Sequence, residues 1–184
     1  MNIKRLARSS LSLFFALFIS TLEAEPSLIV VSIEDGDTLL VEINGKSERL
    51  QLTGIDAPET VENAKLKHDI AKSGLPMSTL LKLGQLATTH LAHLVKPGDQ
   101  LQLITPLSRR DRYGRITALV RNDKPRSLSA LMVTNGYATA LRRHAPDKKL
   151  KEQFIKLEQQ AFDQQRGLWG EQRSEAIAWS GRKI

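Results

Sequence analysis

Apolar and β-branched residues crowd two short runs, 27–32 and 38–43, with the polar turn sequence Asp35-Gly36-Asp37 between them. Runs of this kind, bounded by turn residues, predict β-strands. Asn44-Gly45 follows at once and joins the second run to a third at 47–53. Asn-Gly suits the left-handed backbone of a two-residue hairpin, so the three runs make a meander. Residues 61–76 are polar and close with Gly74 and Pro76, which predicts a long loop with room for a helical turn. From 78 to 95 the period changes. Leu80, Leu81, Leu83, Ala87, Leu91 and Leu94 recur at helical spacing, and Pro97-Gly98 ends the pattern. Residues 100–105 alternate as a strand, 115–121 make another, and a basic loop at 108–114 lies between them. Ser127 can cap a helix to about Asn135, with Gly136 ending it. Asp147 can cap a longer one through Phe154, Leu157 and Ala161 to Gly167. No element is assigned to 170–184.

Three strands, a helix, two strands and then helices is the order of an OB-fold. We expect an α+β protein: a five-stranded Greek-key β-barrel with about three helices, of the kind that binds oligonucleotides across one face. No repeat or internal boundary interrupts the pattern, so one domain is expected over 25–170, with a tail at 171–184.

Composition changes this picture in two places. The 184 residues carry 27 Lys and Arg against 20 Asp and Glu, a formal charge of +7 that favours a polyanionic partner. There is no cysteine, which excludes a disulfide scaffold, a thiol nucleophile and a thiolate zinc site. The N-terminus adds a destination. Lys4, Arg5 and Arg8 precede an apolar run at 11–19, and Ala24 offers a small residue for cleavage. That layout predicts a signal peptide at 1–24 and an exported protein, periplasmic or secreted, with no membrane span after processing. Leu22 fits the cleavage rule poorly, so an uncleaved anchor is the alternative. Cleavage after Ala24 leaves 24 basic residues against 19 acidic ones, and the mature chain stays basic.

The candidate chemistry lies beside the turns. Asp37 opens the second strand, while Asp56 and Glu59 lie just past the third, in Gly54-Ile55-Asp56-Ala57-Pro58-Glu59. In a hairpin the start of one strand lies beside the end of its partner, so the three carboxylates gather at one barrel end. They repel one another unless a cation sits between them, and oxygen-only ligation selects a hard ion such as Ca²⁺ or Mg²⁺. The basic loop Arg109-Arg110-Asp111-Arg112-Tyr113-Gly114-Arg115 supplies guanidinium forks that match phosphate oxygens. Asp111 can orient that loop, and Gly114 permits a left-handed turn. Taken singly, each feature is an ordinary turn cap or a solvated basic loop; together they make two halves of a phosphodiesterase site.

Asp35-Gly36-Asp37-Thr38, Gly54-Ile55-Asp56-Ala57-Pro58-Glu59 and Asp111-Arg112-Tyr113-Gly114-Arg115 resemble, in order, three signature segments of the staphylococcal nuclease family. Gly136-Tyr137-Ala138 and Gly167-Leu168-Trp169 resemble later landmarks, so the likeness runs from about Val30 to Trp169. The resemblance implies a nuclease that cuts DNA or RNA with one Ca²⁺, held by Asp37, Asp56 and the carbonyl of Ala57. It implies that Glu59 positions or deprotonates the attacking water, that Arg115 stabilises phosphoryl charge, and that Arg112 and Tyr113 contact phosphate. In-line attack of water leaving 3′-phosphate ends, by a monomer, completes the expectation. One position departs. Where the family places a second phosphate-binding arginine, this chain has Gln51, with Arg49 two residues earlier and Arg109 and Arg142 as other sources of charge. Arg142, Arg143 and His144 stand where the family prototype has tyrosines. The rival expectation is a barrel that binds nucleic acid or protein without cutting.

Other residues are set aside. His90 and His93 lack a third ligand in the sequence, and the lysines at 148, 149 and 151 read as a solvated helix face. Trp169 and Trp179 read as packing anchors.

Overall fold

The computed structural model describes residues 27–107, 110–142 and 147–182. The expected meander is β1 (Leu28–Ile33), β2 (Thr38–Ile43) and β3 (Lys46–Leu52), antiparallel throughout, with Thr38 opposite Gln51 and Ile43 opposite Lys46. The strand at 100–105 is β5 (Gln100–Leu103), paired to the free edge of β1. The expected strand at 115–121 is two short ones, β6 (Ile116–Ala118) and β7 (Val120–Arg121), interrupted at Leu119. The interruption has a geometric cause: β6 runs parallel to β3, whereas β7 pairs antiparallel with β5. One run of chain therefore joins both margins of the sheet, curling five runs into the expected barrel. Leu28, Val30, Leu39, Val41, Leu50 and Leu52 fill it. Each such side chain contributes roughly 1.5–3 kcal/mol when removed from water.

Outside the barrel, β4 (Ile55–Asp56) pairs with β8 (Thr139–Ala140). The helices predicted around 78–95, 127–135 and 147–167 are α2 (Met77–Leu94), α3 (Leu128–Thr134) and α4 (Lys148–Asp163). Ser127 and Asp147 cap α3 and α4 through their side-chain oxygens, as expected. The last of these stops short of Gly167, which instead opens a 3₁₀ turn, Gly167–Trp169.

Two helices correct the expectation of about three. The expected loop at 61–76 contains α1 (Ala64–Ser73). Asn63 starts it by accepting the Leu66 N–H at 2.9 Å, and Gly74 ends it by donating its N–H to the Ile70 carbonyl at 2.9 Å. Leu66 is its one fully buried apolar residue, with Ile70 partly buried, too narrow a stripe for periodicity to reveal. The unassigned tail carries α5 (Arg173–Ser180), whose Ala176 and Trp179 are buried. These helices build a second core from Leu66, Leu80, Leu83, Phe162, Leu168 and Trp169. Lys72 of α1 ties α5 down, donating to the carbonyls of Trp179 and Ser180 at 3.0 and 3.2 Å. The expected signal peptide lies outside the described residues, as do Arg109, Arg143 and His144. No helix among the described residues is long and apolar enough to cross a membrane.

Candidate functional site

Hairpin register decides where the acidic residues meet. Because Thr38 faces Gln51, Asp37 falls beside the end of β3, and its carbonyl accepts the Leu52 N–H at 2.8 Å. The chain leaves β3, forms β4 with Asp56, and turns at Ala57-Pro58. There the Ala57 N–H donates to Asp37 Oδ2 at 2.8 Å, clipping the two acidic segments together. Glu59 is buried on the next residue but one. Helix α2 passes so close behind it that a Cβ on Gly84 would lie 2.0 Å from the Glu59 carbonyl oxygen. The Asn63 side chain serves two neighbours: its oxygen caps α1, and its amide nitrogen donates to Glu59 Oε2 at 2.7 Å. Asp35, also buried, accepts the Asp37 N–H at 3.0 Å. Burial, then the charges of Asp37 and Glu59, push the Asp35 carboxyl well above its ordinary range despite that bond.

A cation stands among these oxygens. Lys65 of α1 donates its ammonium to the Ala57 carbonyl at 2.9 Å and to Asp69 Oδ2 at 3.0 Å. It lies 3.3 Å from Asp56 Oδ1 and 3.3 Å from Glu59 Oε1. Burial opposes the charge on Lys65, but Asp56, Asp69, Glu59 and Asp37 outweigh it and raise its proton affinity above that of an ordinary lysine. Asp56 keeps 34 % of its side chain exposed, although its carboxyl reaches into the cleft. Burial of that group raises its pKa; Lys65 pulls it down, and Asp37 and Asp69 push it up, for a net rise.

The facing wall is the basic loop between β5 and β6. Asp111 organises it: Oδ1 accepts the N–H groups of Tyr113 and Arg115 at 2.9 and 3.0 Å, and Oδ2 accepts Arg115 Nε at 2.8 Å. Partial burial works the other way, yet the Arg115 guanidinium and those N–H groups hold Asp111 below the usual carboxylate range. Gly114 adopts the left-handed conformation expected of it, with φ +78°. Arg115 Nη1 donates to the Thr38 hydroxyl at 3.1 Å, and that hydroxyl lies 3.0 Å from Asp37 Oδ1 and 3.1 Å from Gln51 Oε1. Thr38 thus joins both walls. Tyr113 projects into solvent, with the guanidinium carbons of Arg112 and Arg115 at 4.7 and 5.4 Å from its ring centre.

Between the walls lie two adjoining cavities that share Lys65, Tyr113 and Arg115. One, of about 420 Å³, also reaches Glu59 and Arg49. The other, of about 850 Å³, reaches Gln51, Asp56 and Arg112. Arg49 is engaged at 2.7 Å by Glu34 on the rim of the first. Arg142 is not brought to the cluster: it pairs with buried Glu158 at 2.8 Å and donates to the Ala140 carbonyl. His90 and His93 stand apart too; His90 stacks on Tyr137 with ring centres 4.1 Å apart. Trp169 and Trp179 are buried as anchors, but Trp179 also donates its indole N–H to Asp69 at 3.1 Å. Asn63, Lys65, Asp69 and Gly84 are the site residues that the sequence reading missed. Signals existed for the first three: an Asn three residues before a leucine, closed by Gly74, and a Lys–Asp pair at i,i+4.

A family model described as staphylococcal nuclease homologue matches residues 49–171, about two thirds of the chain. The chain belongs to the staphylococcal nuclease family. Among its relatives, a thermonuclease of Staphylococcus hyicus is 28 % identical over 145 residues, covering 79 % of this chain and 76 % of that protein. The SPbeta prophage-derived endonuclease YokF of Bacillus subtilis is 31 % identical over 135 residues, 73 % of this chain but only 41 % of its own length. Endonuclease YncB of the same organism is 30 % identical over 135 residues, covering 73 % and 57 %. An uncharacterized protein of Methanocaldococcus jannaschii is 26 % identical over 147 residues, 76 % and 70 %. In this staphylococcal nuclease homologue the family match begins after Asp37 and ends before α5, yet both reach the same cluster. Among the described residues, no three of His, Asp or Glu form a ready-made metal cage. Instead, oxygens of Asp56, Ala57 and Glu59 converge on one ammonium, and such an oxygen-only set suits a hard cation.

Proposed function

We propose that this chain is an exported, calcium-dependent nuclease that hydrolyses phosphodiester bonds in DNA or RNA. The observation that carries the reading is the opposition of a buried carboxylate, Glu59, and a pinned guanidinium, Arg115, across one cavity in a basic protein. Asp37, Asp56 and the Ala57 carbonyl would hold one Ca²⁺. When bound, the ion supplies positive charge toward a phosphoryl oxygen. The protein's own residues do the rest. Glu59, fixed by Asn63, accepts a proton from water and orients it toward phosphorus. Arg115, aimed by Asp111, receives the phosphoryl oxygens whose charge grows as the water oxygen bonds to phosphorus and the P–O5′ bond breaks; the departing 5′ oxygen takes up a proton from solvent, and 3′-phosphate ends result. Tyr113 and Arg112 line the path of the strand from solvent. The basic charge draws the polyanion in, a monomer suffices, and the basic and apolar N-terminal run supports export.

The specific observation favouring a binding barrel instead is Gln51, a neutral side chain hydrogen-bonded to Thr38 where the family resemblance expects an arginine. Both readings meet one experiment: cleavage of single-stranded DNA, duplex DNA and RNA by the mature chain in Ca²⁺, Mg²⁺ or chelator. Calcium-dependent cleavage, lost in Glu59→Ala and Arg115→Ala and faster in Gln51→Arg, is the expected result. Binding of all three polymers without cleavage in either metal refutes the enzyme.

A further inference from the structure

We infer that Lys65 is a built-in counter-ion which must leave the carboxylate cluster before a divalent cation can enter it. The inference rests on reading Asp37, Asp56 and Ala57 as cation ligands, and it concerns a residue that this reading leaves without a task.

The geometry separates Lys65 from an ordinary surface lysine. Its ammonium touches the Ala57 carbonyl, Asp56 and Glu59 within 2.9–3.3 Å, the same oxygens that the proposed metal and water would need. A lysine ammonium and a calcium ion cannot both lie that close to one set of oxygens. The lysine is also held from behind. Asp69, one helical turn along α1, accepts a hydrogen bond from its ammonium at 3.0 Å and is itself buried. The Trp179 indole N–H donates to that same Asp69 oxygen at 3.1 Å, and the Trp179 ring lies 5.8 Å from the ammonium. Lys72 clamps the end of α5 that carries Trp179. A device for holding the lysine thus comes from α1 and α5 together, and α5 begins at Arg173, beyond the residues that match the family model.

The physical need is equally plain. Without metal, the buried carboxylates Asp35, Asp37 and Glu59, with Asp56 beside them, would repel. Lys65 neutralises part of that charge and preserves the fold. Its swing toward Asp69 and solvent, along a flexible four-carbon stem, would clear the site without moving the backbone. The consequence is a tax on metal affinity: if the closed arrangement is favoured about tenfold, the apparent Kd for the ion rises about tenfold.

The test reads metal binding and lysine accessibility rather than catalysis. Ca²⁺ titrations by calorimetry are run on the full mature chain, on Lys65→Met and on Asp37→Asn, with melting temperatures in chelator and in calcium. The expected result is about tenfold tighter Ca²⁺ binding by Lys65→Met, with a lower melting temperature in chelator that calcium restores. Wild type carries an independent readout: acylation of Lys65 by a succinimidyl ester, followed by peptide mass spectrometry, should rise at least fivefold in saturating calcium. Equal Ca²⁺ affinity in wild type and Lys65→Met, or unchanged acylation in calcium, overturns the counter-ion while leaving the metal site standing. Failure of wild type and Lys65→Met alike to bind Ca²⁺ overturns both.

Discussion

The two walls of the cleft are built on opposite plans. Asp37, Ala57 and Glu59 are buried, and their positions are fixed by the barrel, by α2 against the Glu59 backbone, and by Asn63. The loop of Arg112, Tyr113 and Arg115 rests on one carboxylate, Asp111, and two of those three side chains are exposed. The difference fits what the proposed function asks of each wall. Carboxylates that hold a cation or position water need a fixed, partly desolvated place, and burying like charges is affordable only in a rigid frame. Guanidinium groups that meet a polymer need access, and they keep their charge at any working pH. Damage to the first wall should therefore cost stability and activity together, while damage to the second should cost activity alone.

The largest expected effect breaks the exposed wall. Arg115→Lys keeps the charge but loses the planar fork and the Nε bond to Asp111, and should lower kcat by ~10²–10³. Its melting temperature should stay close to wild type. Single-turnover cleavage and a thermal melt on the same preparation test both halves, and a variant as active as wild type would remove Arg115 from the chemistry.

Next comes the buried wall. Gly84→Ala places a methyl where the Glu59 carbonyl oxygen already sits, so either α2 or the Pro58–Glu59 backbone must shift. Overpacking of this kind costs roughly 1–3 kcal/mol. In a chain of this size that is several degrees of melting temperature, at roughly 2–4 °C per kcal/mol. Cleavage should fall too, because Glu59 moves with its backbone. Asn63→Ala is smaller: loss of the α1 cap costs about 1 kcal/mol, and Glu59 loses a donor. Urea midpoints and cleavage rates, plotted together for the three variants, should put Arg115→Lys off the line that the other two define.

The same division explains what the sequence made legible. The barrel could be read because its strands are short, β-branched and separated by unambiguous turns, and the register that joins Asp37 to Asp56 followed from Asn44-Gly45. The basic loop could be read because one Asp among arginines is a local pattern. Helix α1 escaped because it buries little beyond Leu66 and Ile70, and α5 because its two anchors, Ala176 and Trp179, only become anchors against α1 and α2. With those helices went Lys65 and Asp69, whose roles come from the folding of α1 back over the turn at 56–59 and from Trp179, 110 residues beyond Asp69. Likewise the tie of Arg142 to Glu158 needs α4 folded back over β8, which no local spacing reveals.

The smallest expected effect sharpens the comparison through pH. The helix that backs the first wall, α2, carries His90. Burial lowers the His90 pKa to about 4, with help from the charges of His93 and Lys124. Its ring stacks on Tyr137, and Nε2 lies 2.9 Å from Asn135 Nδ2 at the end of α3. The folded state therefore resists protonating a group that the unfolded chain protonates near its ordinary 6.5. Where the unfolded state binds more protons, stability rises with pH. The contribution is intact above about pH 6.5 and is lost as pH falls from there toward about 4. His90→Gln removes the proton site while keeping a polar group near Asn135. It should lower the melting temperature at pH 7.5, where the stacked ring is lost, and then decline less steeply than wild type between pH 6.5 and 4.5. Parallel melting curves for the two proteins across that interval would mean that the folded state protonates His90 as readily as the unfolded chain does, and would remove His90 from the pH dependence.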